Sequence, residues 1–208
     1  MAGKLVSLGG GSVTIADPAS TASNFTLNPP LANGNLVSTG DAGTVTPVML
    51  SQKLTQGTSA ASTSGTAIDF TSIPSWVKRI TVMFNGVSLS GTSHFLLQLG
   101  VNGSPVTSGY SAQTYVQSGG GPGSVSSTAG IPVFSGTASY TFTGTLAFTQ
   151  ISGNTWIATG TFVQGPTAIL ISLSSGSIAL GGTVNMVRIT SVNGTDTFDA
   201  GSINILYE

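Results

Sequence analysis

Few side chains in this sequence could perform chemistry, and each has a structural alternative. His94 is the only histidine, so any nucleophile–base relay would run through it. Hydroxyls are abundant, but none sits in a Gly-x-Ser-x-Gly elbow entering a helix. A single histidine just before an apolar strand reads as a structural or surface residue. Asp196 and Asp199 stand three apart near a turn. Paired carboxylates can hydrolyse glycosides or bind calcium. Asp and Asn also favour such loops for local hydrogen bonding, and that reading is the stronger. Asp69 is a third carboxylate with no evident partner. Cysteine is absent, which excludes disulfides and thiolate metal sites. The expectation is no catalytic residue, no metal site and no cofactor.

The binding candidates are aromatic. Trp76, beside Pro74, Lys78 and Arg79, could present an aromatic and basic patch to a sugar or a partner. Packing under a turn is the stronger reading, with interface use by a neighbouring subunit between the two. Lys78 and Arg79 point to opposite faces once a strand has begun. Tyr110, Tyr115 and the loop running to Gly130 mix aromatics with small residues, a composition suited to adaptable recognition. The alternative is an ordinary exposed loop.

The scaffold holding these residues is nearly uncharged. Only 5% of the 208 residues are charged and the net charge is −1, against about 25% charged residues in typical soluble proteins. Such a chain either exposes a neutral, hydroxyl-rich surface or is covered by sister subunits. Five basic residues, only Lys78 and Arg79 adjacent, exclude a nucleic-acid partner. The first twelve residues lack the apolar core of a signal peptide. The densest apolar run, Ala168–Leu173, is too short to span a bilayer. These features predict a soluble protein assembled in the cytoplasm, with no membrane insertion.

Three regions follow. Residues 1–45 form an arm in which Val13–Pro18 is echoed by Phe25–Pro30 at a period of 12, with a fading copy at Val37. Each copy reads as a short strand closed by a proline turn, and such strands need stacking or neighbouring chains to build a core. Residues 46–57 hold a short helix and linker. Thr46 caps, Pro47 suits the first position, and Pro47, Leu50 and Leu54 share one stripe. Either a three-chain neck or the next domain covers it. Residues 58–208 are all-β. Ile80, Val82 and Phe84 alternate with Thr81 and Met83, leaving one face more apolar; Phe95, Leu97, Leu99 and Val101 share a face, as do Tyr140, Phe142, Leu146 and Phe148. Asn85-Gly86 predicts a hairpin turn, and the Gly-rich run Ser118–Gly130 predicts a surface loop. About eight strands in roughly 150 residues predict an antiparallel β-sandwich, jelly-roll-like.

The block running from Ser64-Gly-Thr-Ala-Ile-Asp-Phe70 through Ile73-Pro-Ser-Trp-Val-Lys-Arg-Ile80 to Ser88, and Val187–Glu208 with its Asn-Gly-Thr-Asp-Thr-Phe-Asp-Ala-Gly core, resemble a domain of tail-fibre and minor tail proteins of tailed bacteriophages. The arm with Thr46–Leu54 is similar to fibre segments that precede a distal domain. Residues 103–182 lie outside the resemblance. The resemblance implies a virion structural protein, usually a homotrimer. It carries no catalytic residues. The arm would bind other virion proteins and the head would meet a host surface glycan or protein. A capsid decoration or head-fibre protein and a free-standing carbohydrate-binding module are the alternatives.

Overall fold

The computed structural model describes residues 4–6, 12–14, 53–118, 121–165 and 170–208. The chain forms two compact units, Met1–Val45 and Thr46–Glu208. In the first, β1 (Lys4–Val6) and β2 (Ser12–Thr14) pair antiparallel, with Leu5 opposite Val13. The rest of the arm repeat lies outside the described residues, as do Pro47 and Leu50 of the expected helix. Leu54, the end of that stripe, has no regular structure and is 59% exposed.

The second unit is all-β among its described residues, and every pairing is antiparallel. In chain order its strands are β3 (Thr55–Gln56), β4 (Ala60–Ala61), β5 (Ala67–Thr71), β6 (Arg79–Leu89), β7 (Phe95–Val101), β8 (Ser104–Pro105) and β9 (Ser111–Ser118). There follow β10 (Gly121–Ser127), β11 (Ile131–Val133), β12 (Thr141–Ser152), β13 (Thr155–Gly165), β14 (Leu170–Ala179), β15 (Val184–Ser191) and β16 (Phe198–Tyr207). A wide sheet has the order β10-β9-β14-β13-β12-β6-β16-β3, with β4 also on β16. A narrow sheet has the order β11-β7-β15-β5, with β8 on β7. The two pack face to face as a sandwich. The chain crosses repeatedly between the layers; the hairpins β7–β8 and β9–β10 and the meander β12–β13–β14 each stay within one sheet.

The core is where the period-2 pattern predicts it. In β6, Ile80, Val82 and Phe84 face inward; in β12, Phe142, Leu146 and Phe148 do. Phe95 of β7 meets them from the narrow sheet. Its ring lies 5.4 Å from Phe84 and 5.0 Å from Phe142, both edge-on. This is the offset geometry that aromatic quadrupoles favour.

Two local expectations are corrected. Asn85-Gly86 is not a hairpin turn: it lies inside the eleven-residue β6. Gly86 has φ 64°, and the register with β12 slips between Phe142↔Val87 and Gly144↔Phe84. The pair is therefore a bulge, the other use of a left-handed glycine in a strand. The Thr143 hydroxyl accepts the Gly86 N–H at 3.1 Å. Likewise Ser118–Gly130 is not all loop. Most of it is β10, paired with β9 from Gly121↔Ser118 to Ser127↔Ala112. Small residues are tolerated there because β10 is an edge strand, and Pro122 removes a donor that an edge need not supply.

Candidate binding face

One patch of the wide sheet reverses the expected alternation. In β14 the sequence Ile171-Ser-Leu-Ser174 places both serines in the interior and both aliphatics in solvent. The neighbours follow suit. In β9 Thr114 is buried and Tyr115 exposed; in β13 Gln164 is buried and Val163 exposed. Register joins the outward residues: Leu173 stands opposite Tyr115, and Ile171 opposite Val163. The four are 51%, 39%, 52% and 44% exposed. Directly opposed strand residues share a face with Cβ atoms about 5 Å apart. Tyr115, Leu173, Ile171 and Val163 therefore form one continuous apolar patch on the outer face.

The interior side explains how this register is held. Thr114 Oγ1 accepts the Phe134 N–H at 3.2 Å and lies 3.1 Å from Ser174 Oγ. It donates to the Leu173 carbonyl at 3.1 Å and lies 3.1 Å from Ser172 Oγ. Ser174 also donates to the Pro132 carbonyl at 2.7 Å. A buried hydroxyl without partners would cost about 1–3 kcal/mol; here Thr114, Ser172 and Ser174 are mutually bonded. Gln164 Nε2 and Trp156 Nε1 are buried without a partner among the described residues. Sliding β14 by one residue would bury Ile171 and Leu173 but would break this network.

Around the patch the surface is neutral. From Phe95 to Val187 there is no Asp, Glu, Lys or Arg, so β9 to β14 carry no charge at all. The row Ser124–Tyr115–Leu173–Thr161–Thr145–Met83 crosses the face from β10 to β6. Beside the patch lies a groove of about 640 Å³ whose polar lining includes Ser111, Gln113, Ser126, Thr128 and Ser175. A smaller depression of about 270 Å³ lies between Tyr115 and Leu173 and shares Gln113 and Ser175 with it. Hydroxyls and one amide can recognise a neutral polar ligand. Nothing on this face provides an acid, a base or a charged nucleophile.

Of the aromatic candidates, Tyr115 is exposed on this face, while Tyr110 borders the larger groove and is only 3% exposed. Its hydroxyl accepts the Leu99 N–H at 2.7 Å, and burial pushes its pKa up to about 12. It ties β9 to the narrow sheet. Trp76 is half-buried against the core, 6.1 Å from the Tyr207 ring. Lys78 and Arg79 are both exposed at the start of β6, and Arg79 makes an open pair with Glu208 at 3.4 Å.

The ionisable candidates are engaged structurally. Asp196 accepts the Ser93 N–H at 2.9 Å and the Asn193 amide at 2.7 Å. Asp199 accepts the Ser88 hydroxyl. Asp69 does have a partner: Arg188 of β15 grips it with two bonds of 2.7 and 2.6 Å. Residues 119 apart in sequence gave no hint of that pairing. Among the described residues no group of three or more His, Asp or Glu could hold a metal, and no helix could cross a membrane.

His94 accepts the Ser135 N–H on Nδ1 at 2.9 Å and lies against the Phe134 ring. Desolvation by burial lowers its pKa from 6.5. The folded state therefore favours the neutral ring. Its contribution to stability is fully present above about pH 6.5 and is lost as pH falls from there through the depressed folded value. Thermal melts of the wild type should fall in Tm from pH 7.5 to pH 5, and His94→Gln should flatten that dependence. An unchanged slope in the variant would assign it to other groups.

No family model, curated protein or solved structure matches the chain. Fold and face together define its class: a neutral antiparallel β-sandwich with an outward apolar patch.

Proposed function

We propose that the chain is a structural virion protein of a tailed bacteriophage, a homotrimeric tail-fibre or tail-tip component that contributes to host attachment. The observation that carries the reading is the pair of blocks resembling tail proteins, Ser64–Ser88 and Val187–Glu208. They are far apart in sequence yet lie side by side: β6 pairs with β16 from Ile80↔Tyr207 to Leu89↔Phe198. The resembling segments thus pair with each other in both layers, β6 with β16 in the wide sheet and β5 with β15 in the narrow one. A sandwich without ionisable residues poised for catalysis suits adhesion, in which many weak contacts are multiplied by copy number. The arm, with Pro47, Leu50 and Leu54 as its neck, would hold three copies together and join them to other virion proteins. Light scattering of the purified chain should give the mass of a trimer. A folded monomer at micromolar concentration counts against it, and labelling on imaged particles separates tail from head shell.

The groove at Gln113 and Ser175 favours a second reading, a module that binds neutral carbohydrate. A glycan array probed with the whole chain tests it. Binding that Gln113→Ala abolishes would support the module, and silence across the array would remove it.

A further inference from the structure

We propose that the outer face of β9, β14 and β13, centred on Leu173 and Ile171, docks against the same face of a second copy of this chain. The proposal does not rest on the virion reading. Its first support is the reversed register. Burying hydroxyls and exposing aliphatics opposes the hydrophobic effect in an isolated chain. Leu173 and Ile171, about half exposed, each forgo part of the burial that their side chains could gain. A two-sheet stack recovers that burial, because sheets pack face to face about 10 Å apart with side chains interlocked.

Charge is the second support, and it selects the occupant. In a two-fold interface identical patches meet, so any ionic group near the axis faces its own copy. Like charges brought together cost several kcal/mol. Strands β9 to β14 contain no charged residue, so this face opposes itself without repulsion. A charged partner would find no complement on it. The second unit's charges lie on β5, β6, β15, β16 and their flanks and just before β3: Lys53, Asp69, Lys78, Arg79, Arg188, Asp196, Asp199 and Glu208.

Area is the third. The strands β10, β9, β14, β13 and β12 at about 4.8 Å spacing give a face roughly 20–24 Å wide and about 30 Å long. That is on the order of 700 Å², close to the roughly 800 Å² per partner of a standard interface. The opposite side of the same strands is already used by the core, so the outer side is the one left to a partner.

Sedimentation velocity on the full chain tests this. The wild type should associate reversibly through the face. Leu173→Lys combined with Ile171→Lys places charges on exposed positions that the fold does not need. The double variant should keep its circular dichroism spectrum and weaken self-association at least about 100-fold, the cost of confronting like charges. Val192→Lys, an exposed aliphatic off this face, should associate as the wild type does. If the arm holds trimers, the double variant sediments as a trimer; if not, as a monomer. The face and the virion reading therefore fail separately. Wild type with no association beyond that species overturns the proposal and leaves the face to a neutral ligand. So does a folded double variant whose association is unchanged.

Discussion

Gly201→Ala should be among the most damaging single-methyl changes in the chain. Gly201 sits at a bulge of β16, where the register slips between Ala200↔Ser88 and Ser202↔Asn85. Its φ is 87°. A Cβ there would overlap the Gly86 carbonyl and come within 2.6 Å of the Asn85 oxygen. Two separate costs add. Positive φ strains any L-residue by about 1–2 kcal/mol, and backbone overlap forces β6 and β16 apart at a cost of about 1–3 kcal/mol more. The expected loss is roughly 3 kcal/mol, or a fall in Tm of about 6–12 °C for a domain of this size. Gly86→Ala is the internal comparison. Its φ is also positive, but nothing lies within 4 Å of the added carbon. Only the conformational strain applies, so it should lose about 1 kcal/mol. Thermal unfolding of the two variants side by side checks both. Equal losses would mean that the overlap relaxes freely.

Phe95→Ala should cost about 3–5 kcal/mol, the range for emptying a core aromatic site. Phe95 is fully buried and is the ring at which the two sheets meet. It contacts Phe84 of β6, Phe142 of β12 and Phe198 of β16 from its place on β7. Removing it withdraws three ring contacts together with the burial itself, and backbone on both layers prevents collapse into the gap. Phe95→Leu keeps most of the volume and should lose about half as much. Urea titration measures both. A loss below about 2 kcal/mol for the alanine variant would show the site refilled from the narrow sheet.

Much of this fold is legible in the sequence because its core obeys simple alternation. Ile80, Val82 and Phe84, or Phe142, Leu146 and Phe148, announce strands and name their buried face. Legibility fails where one local signal has two meanings. Asn85-Gly86 supplies a left-handed backbone, which serves a hairpin or a bulge equally. Only the partners on both sides of β6 decide between them. Ser118–Gly130 lacks apolar residues because an edge strand needs few. The binding face is the least legible feature. Reading Ile171-Ser-Leu-Ser174 by hydrophobicity puts the aliphatics inside. The opposite register follows from Thr114 and Pro132, which are remote in sequence and provide hydroxyl partners. The absence of charge from Phe95 to Val187 was a usable signal, since it marks which strands cannot stand as an ordinary charged surface. Tyr110 and Tyr115 look alike in sequence. They differ only because Tyr110, just before β9, points inward to Leu99, while Tyr115 within β9 points outward.

The side-by-side placement of β6 and β16 has a consequence for biosynthesis. β6 is a middle strand of the wide sheet, yet one of its two neighbours is made more than a hundred residues later. On the ribosome, β6 must wait with an open flank while everything from β7 to β15 emerges. Strand pairings this distant in sequence are slow to form and expose sticky intermediates. Truncations that remove Phe198–Tyr207 should therefore accumulate as insoluble material, and chaperone supply should limit the yield of the intact protein.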